Sequence, residues 1–162
     1  MARSSSGGTP ATIALSRAGI EFTLHPYVHD PRAASYGLEA AQGLGVPPDR
    51  VFKTLMAEVD GRPAVGLVPV DRQLDLKALA RVLGGSKAVM ADQATAQRAT
   101  GYVVGGISPI GQRRQYPTVL DDAALAHPSI FVSAGRRGLD LALRPADLIR
   151  ITAAITAQIG RG

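Results

Sequence analysis

Residues 51–70 constrain the fold more than any other part of the chain. Residues 51–59 and 64–70 are two β-rich runs, and Asp60-Gly61 lies between them. Asp-Gly in that position signals a tight hairpin, because the favoured two-residue turn needs positive φ at both central residues. One antiparallel pair is thereby set, and the other elements must pack around it.

Helix signals flank the hairpin. Thr9 is an expected N-cap with Pro10 at the first helical position, and Gly19 is the stop. Ser35 caps a helix ending at Gly43 to Gly45. Asp75 caps an amphipathic helix in which Leu76, Leu79, Ala80 and Leu83 follow the i, i+3, i+4, i+7 rule before Gly84-Gly85. Asp92 caps another that ends at Gly101, and Pro145 opens the last. Short strands are expected at residues 21–24, 87–90, 102–104, 118–120, 130–133 and 139–143. Helices interleaved with hairpins do not give the regular alternation of a doubly wound sheet. The expected class is mixed α/β: a largely antiparallel mixed sheet curling toward a barrel, with helices outside. Residues 1–8, rich in Ser and Gly, read as a flexible tail, and residues 9–162 as one domain.

Composition removes several kinds of chemistry. The 162 residues include no cysteine, so disulfides, thiolate metal sites and a cysteine nucleophile are excluded. No apolar run approaches about 18 residues, and no signal-peptide stretch opens the chain, so no membrane partner is expected and the cytoplasm is the expected compartment. Aromatic residues are only 4%, so the core should be built from Ala, Val, Leu and Ile. The same scarcity argues against base stacking as the main grip on a nucleic acid. A net charge of +5 favours a partner read through phosphate. His25 and His29 sit in a segment kept extended by Pro26 and Pro31, which places them about 13 Å apart. That is too far to share one ion, and no metal or cofactor is expected. No phosphate-binding P-loop, dinucleotide fingerprint or G-x-S-x-G elbow is present.

Three features carry chemistry. Lys53 lies inside a β run, on the face of Val51 and Leu55. It is either an edge lysine reaching water or a cation aimed into a cavity. Gly105-Gly106-Ile107-Ser108-Pro109-Ile110-Gly111 follows an expected strand and precedes Arg113-Arg114. Ser133-Ala134-Gly135-Arg136-Arg137-Gly138-Leu139-Asp140 repeats the pairing of glycine with two arginines and adds a carboxylate. Together these suit an anionic ligand held by backbone amides, without naming it.

The runs Phe52-Lys53-Thr54-Leu55, Gln73-Leu74-Asp75-Leu76, Gly105-Gly106-Ile107-Ser108-Pro109-Ile110-Gly111-Gln112 and Arg137-Gly138-Leu139-Asp140 resemble the bacterial YbaK branch of the YbaK/prolyl-tRNA-synthetase-associated domain family. The likeness runs in one register from about Pro10 to the C-terminus. It implies a barrel-like mixed fold and a trans-editing deacylase that removes cysteine from Cys-tRNA(Pro), with Cys-tRNA(Cys) as a further substrate. The implied partners are tRNA(Pro) and prolyl-tRNA synthetase, with no metal or cofactor. It implies that Lys53 is the functional lysine, with Tyr27 and Asp140 orienting the substrate. Tyr36, Thr54, Gly105, Gly106, Ile107, Ser108, Pro109, Ser133 and Gly135 then form the substrate-binding set, with the Gly105 and Gly106 amides as donors. The implied mechanism is substrate-assisted: the cysteine thiol attacks its own ester carbonyl. Tyr36 stands where the family carries Phe. Two other readings stay open: a sister specificity for Ala-tRNA(Pro) or Ser-tRNA, and a non-catalytic module that binds tRNA or the synthetase.

Overall fold

The computed structural model describes residues 8–162. The tail expected at residues 1–8 lies outside the described residues except for Gly8, which is exposed. The Asp60-Gly61 turn forms with φ of 50° and 81°, and it joins β2 (Phe52–Val59) to β3 (Arg62–Pro69) in antiparallel register. β5 (Ala88–Met90) pairs with the far end of β2, while β6 (Thr118–Asp121) and β9 (Ile155–Ala157) continue beyond β3 in parallel. The result is a five-stranded mixed sheet, ordered β5-β2-β3-β6-β9. A three-stranded antiparallel sheet, β1-β8-β7, is built from β1 (Thr23–Pro26), β8 (Leu139–Leu143) and β7 (Ile130–Arg136). β4 (Gln73–Leu74) and β10 (Gly160–Arg161) form a third, two-stranded sheet.

The capping residues act as the sequence predicts. Thr9, Ser35, Asp75 and Asp92 each accept a hydrogen bond from the first helical turn of α1 (Pro10–Arg17), α2 (Tyr36–Leu44), α3 (Leu76–Val82) and α4 (Gln93–Thr100). α5 (Pro145–Thr152) opens on its proline. The main core fills the space between the two larger sheets, with Phe52, Leu67, Leu120, Val132 and Leu141 at its centre. A second core, including Val68, Leu79 and Val119, packs α3 on the opposite face of the large sheet. A third, Ala40, Ala41, Val51, Val70 and Phe131, seats α2. Phe22, Phe52, Tyr102 and Phe131 are buried, so the core is aliphatic with a few aromatic plugs.

The expected mixed α/β class is observed, and the sheets do not close: among the described residues the ladder link between β7 and the β2 side is an isolated parallel bridge from Phe131 to Val51, just before β2, and β5 pairs with β2 from Ala57 onward. Two expectations need correction. Residues 102–104 are not a strand. Their β-formers are held by side-chain anchors instead: the Tyr102 hydroxyl donates to the Ile110 carbonyl at 2.6 Å, and the Val104 amide donates to Gln97 Oε1 at 3.0 Å. The first strand falls at Thr23–Pro26 and not at 21–24, because its partner is Leu139 to Ala142 of β8 and Phe22 turns into the core. Pro26 is tolerated there because β1 is an edge.

Candidate active site

The gap that prevents closure is where the site lies. On β3, Val65 donates its amide toward β6, at the Pro117 carbonyl, while Val70 donates to the Val51 carbonyl of the β2 side. By antiparallel alternation, the odd-numbered residues of β2 bond to β3 and the even-numbered ones point outward. The Met56 carbonyl accordingly accepts from the Ala91 amide at 3.1 Å. The Thr54 main chain faces outward where neither β5 nor the Val51–Phe131 bridge reaches it.

A cavity of about 370 Å³ occupies this place. Its floor is β2, its walls are the start of α2 and the glycine loop, and its far side is the β7–β8 pair. Lys53 and Thr54 enter from β2, and Tyr27 and Tyr36 from either end of the segment leading into α2. Gly105 and Ile107 line it from the loop, and Ser133 and Asp140 from β7 and β8. Ser133 and Asp140 are register partners, and His25 is paired with Asp140 on its other side, so the three side chains share one face. The Tyr27 amide donates to the Gly138 carbonyl at 2.9 Å, which extends β1 far enough to bring the phenol into the cavity.

Four expected residues do not line the cavity. Gly106 is buried, and its amide donates to the Val103 carbonyl at 2.9 Å, so the expectation that it supplies a substrate donor is corrected. It is glycine because the two loops touch there: a Cβ would lie 2.7 Å from the Arg136 Cα. Ser108 is fully buried, and its Oγ accepts from the Ile110 amide at 3.2 Å while its carbonyl accepts from Gln112 Nε2 at 2.9 Å. Pro109 is buried beside it. Gly135 stands behind the cavity lining, its amide donating to Ser133 Oγ at 3.1 Å. Gly106→Ala is expected to cost about 1–3 kcal/mol through overpacking against main chain that cannot move aside. Urea denaturation would measure it, and a loss within about 0.5 kcal/mol would contradict the close approach.

The charges in the cavity are in no ion pair among the described residues. Asp140 is only 4% exposed, and burial pushes its carboxyl up to about 7. Burial lowers the Lys53 ammonium below the usual lysine range, with Asp71 pulling weakly the other way. No ion pair among the described residues includes either group. Burial, reinforced by the Asp140 charge, raises the Tyr27 phenol. Thr54 Oγ1 is buried without a hydrogen-bond partner among the described residues. Thr54→Val is therefore expected to leave stability unchanged or raise it by up to about 1 kcal/mol, because it removes an unmet polar group. A loss above about 1 kcal/mol in urea denaturation would mean that the hydroxyl is satisfied.

The histidines serve the segment around Tyr27 separately. His25 Nε2 and Thr23 Oγ1 are 2.7 Å apart, and His29 Nδ1 lies 2.9 Å from Glu39 Oε1. Among the described residues no cluster of three His, Asp or Glu could hold a metal, and no helix is long and apolar enough to cross a membrane. Reasoning from sequence missed Gln93, Met90 and Ala91, which line the cavity through the turn between β5 and α4. Only the Asp92 cap hinted that a helix start lay nearby.

With this geometry in view, the chain belongs to the aminoacyl-tRNA editing domain family, whose profile matches residues 30–151. It is 38% identical over 120 residues to an Enterococcus faecalis protein named "Putative Cys-tRNA(Pro)/Cys-tRNA(Cys) deacylase EbsC", covering 74% of this chain and 73% of that one. It is 35% identical over 114 residues to the proline–tRNA ligase of Desulfovibrio desulfuricans, covering 70% of this chain and only 19% of the ligase. A solved structure described as "Crystal structure of a putative trans-editing enzyme for prolyl tRNA synthetase" superposes with a TM-score of 0.83 at 25% identity, over 94% of this chain and 96% of that one.

Proposed function

We propose that this chain is a trans-editing aminoacyl-tRNA deacylase that removes cysteine from Cys-tRNA(Pro), with Cys-tRNA(Cys) as a further substrate, and that it acts in the cytoplasm beside prolyl-tRNA synthetase. The carrying observation is the cavity itself, which holds a desolvated lysine and a desolvated aspartate, neither of them in an ion pair among the described residues. An aminoacyl ester supplies both: an ammonium for Asp140, and at the transition state an oxyanion for Lys53. Family membership and the similarity to part of a proline–tRNA ligase support the choice of tRNA ester and partner.

The chain has no cysteine of its own, so the thiol that attacks is the substrate's. Its sulfur bonds to the ester carbonyl carbon, the bond from that carbon to the ribose oxygen breaks, and the thiol proton ends on the released 3′-hydroxyl. The ring formed contains sulfur, Cβ, Cα and the carbonyl carbon. It is a strained four-membered thioester, which water then opens to cysteine. Because of that strain, positioning by the protein must supply what ring closure does not. Asp140 and Tyr27 hold the ammonium and thiol, and Ser133 and the Thr54 hydroxyl fill the remaining polar positions. The Gly105 amide, which has no acceptor among the described residues, joins Lys53 at the oxyanion. Tyr36 and Ile107 wall the site.

Blocking the thiol tests this chemistry. The cysteinyl ester of tRNA(Pro) should decay rapidly with the protein, and its S-methylcysteinyl counterpart at the rate of the blank. Equal acceleration of both would replace self-attack with direct hydrolysis, and acceleration of neither would remove the deacylase reading.

A further inference from the structure

Arg137 stands at the mouth of the cavity and is absent from the set of residues that line it. Its Nε donates to the Val104 carbonyl at 2.8 Å, and its guanidinium carbon lies 5.1 Å from the centre of the Tyr36 ring. Val104 and Tyr36 both line the cavity. The loop is glycine at 105 where the three elements meet: a Cβ there would be 2.9 Å from both Arg137 Nε and Tyr36 Cδ1. The guanidinium is thus held by one hydrogen bond and one ring face, although the residue is exposed.

A second arginine shows what a purely structural use looks like. Arg50 also lies over an aromatic ring, Phe131, at 5.1 Å. Its Nε and Nη2 are both committed, at 3.3 and 3.2 Å to the Ser129 carbonyl and at 2.8 Å to the Ser129 hydroxyl. Among the described residues Arg137 commits Nε alone and belongs to no ion pair. Its two terminal nitrogens, on a planar cation held in place, are therefore uncommitted among the described residues, and the residue is exposed. That fork matches the oxygens of a phosphate. The holding contacts also lower the entropy cost of using it.

We infer that Arg137, held on Tyr36 and the Val104 carbonyl, binds the phosphate on the 5′ side of the nucleotide that carries the aminoacyl ester. This rests on the proposed deacylase reading for the identity of the ligand. It divides the work between two cations: Lys53 inside for the reacting carbonyl, and Arg137 at the rim for the nucleotide backbone. A rim phosphate contact sets how the acceptor end enters and leaves the chemistry to the interior.

The probes are adenosine 5′-monophosphate and adenosine, which differ only in that phosphate, with binding measured by calorimetry on the full chain. The wild-type protein is expected to prefer the monophosphate by about 10-fold, and Arg137→Ala and Arg137→Gln to lose the preference. Arg137→Gln keeps a donor for Val104 and a planar group for Tyr36, so its loss of preference assigns the effect to charge. In deacylation, Arg137→Ala should raise KM for the cysteinyl-tRNA about 10-fold with kcat within about twofold, and the salt dependence of binding should fall by about one phosphate contact. A preference that survives both substitutions, or its absence from the wild type, overturns the assignment. A wild-type protein that prefers the monophosphate yet cleaves no cysteinyl ester would sink the deacylase reading and leave the phosphate site standing.

Discussion

Lys53→Ala is expected to slow the protein-dependent decay of Cys-tRNA(Pro) by about 10²–10³-fold, the range seen when one oxyanion donor is removed from a water-poor site. The melting temperature should hold or rise, because the wild-type ammonium is half-buried on the hydrophobic face of β2 and is in no ion pair among the described residues. Arg113→Ala is the control. Arg113 is exposed and lies outside the cavity, so its loss should cost less than about 10-fold through weakened phosphate attraction. Single-turnover decay of the ester measures both variants. Equal losses would remove Lys53 from the reaction and leave it as one of several cations that attract tRNA.

Asp140→Asn should separate stability from activity. An unfolded chain releases the Asp140 proton near the ordinary carboxylate value of 3.8, whereas the folded chain holds it until about 7. Between those values folding binds a proton, so wild-type stability falls as pH rises, and the full penalty is present above about 7. Its upper limit is about 4 kcal/mol. The asparagine variant carries no such penalty. It should be more stable than wild type at pH 8, and the advantage should shrink steadily toward pH 4. Denaturation in urea at several pH values reads this directly. The same substitution should lower deacylation, because in the proposed reading the ionised carboxylate is the partner of the substrate ammonium. The ratio of wild-type to variant rates should rise through pH 7. A stability difference that does not change with pH would show that the carboxyl is ordinary.

Legibility followed the range of the interactions. The hairpin, four caps and the glycine stops depend on residues a few positions apart, and the sequence identifies them. Lys53 was conspicuous because a cation in a β run breaks the local pattern. The closeness of Ser133, Asp140 and His25 depends on the register of three strands from distant parts of the chain; the sequence marks Asp140 as the carboxylate of a glycine-arginine run, and its orienting role is implied only by the family resemblance. β4, β9 and β10 are too short to declare themselves and exist through their partners. Val103 and Val104 suggested a strand, but hydrogen bonds from Tyr102 and to Gln97 hold that segment as a loop. The same glycine loop misled the assignment of donors: Gly105 and Gly106 are equal in sequence, yet the Gly106 amide is spent on Val103 and the Gly105 amide has no acceptor among the described residues. The use of Tyr36 as a seat for Arg137 could not be read from either residue alone.

The central claim is that this cavity releases cysteine from tRNA(Pro). The decay of Cys-tRNA(Pro) and Ala-tRNA(Pro), each with and without the protein, tests it most directly. Rapid loss of the cysteinyl ester with the alanyl ester unchanged is the predicted result, because alanine has no thiol to attack its own carbonyl. If the folded protein binds both tRNAs and accelerates the decay of neither, the claim is contradicted and the chain is a binding module.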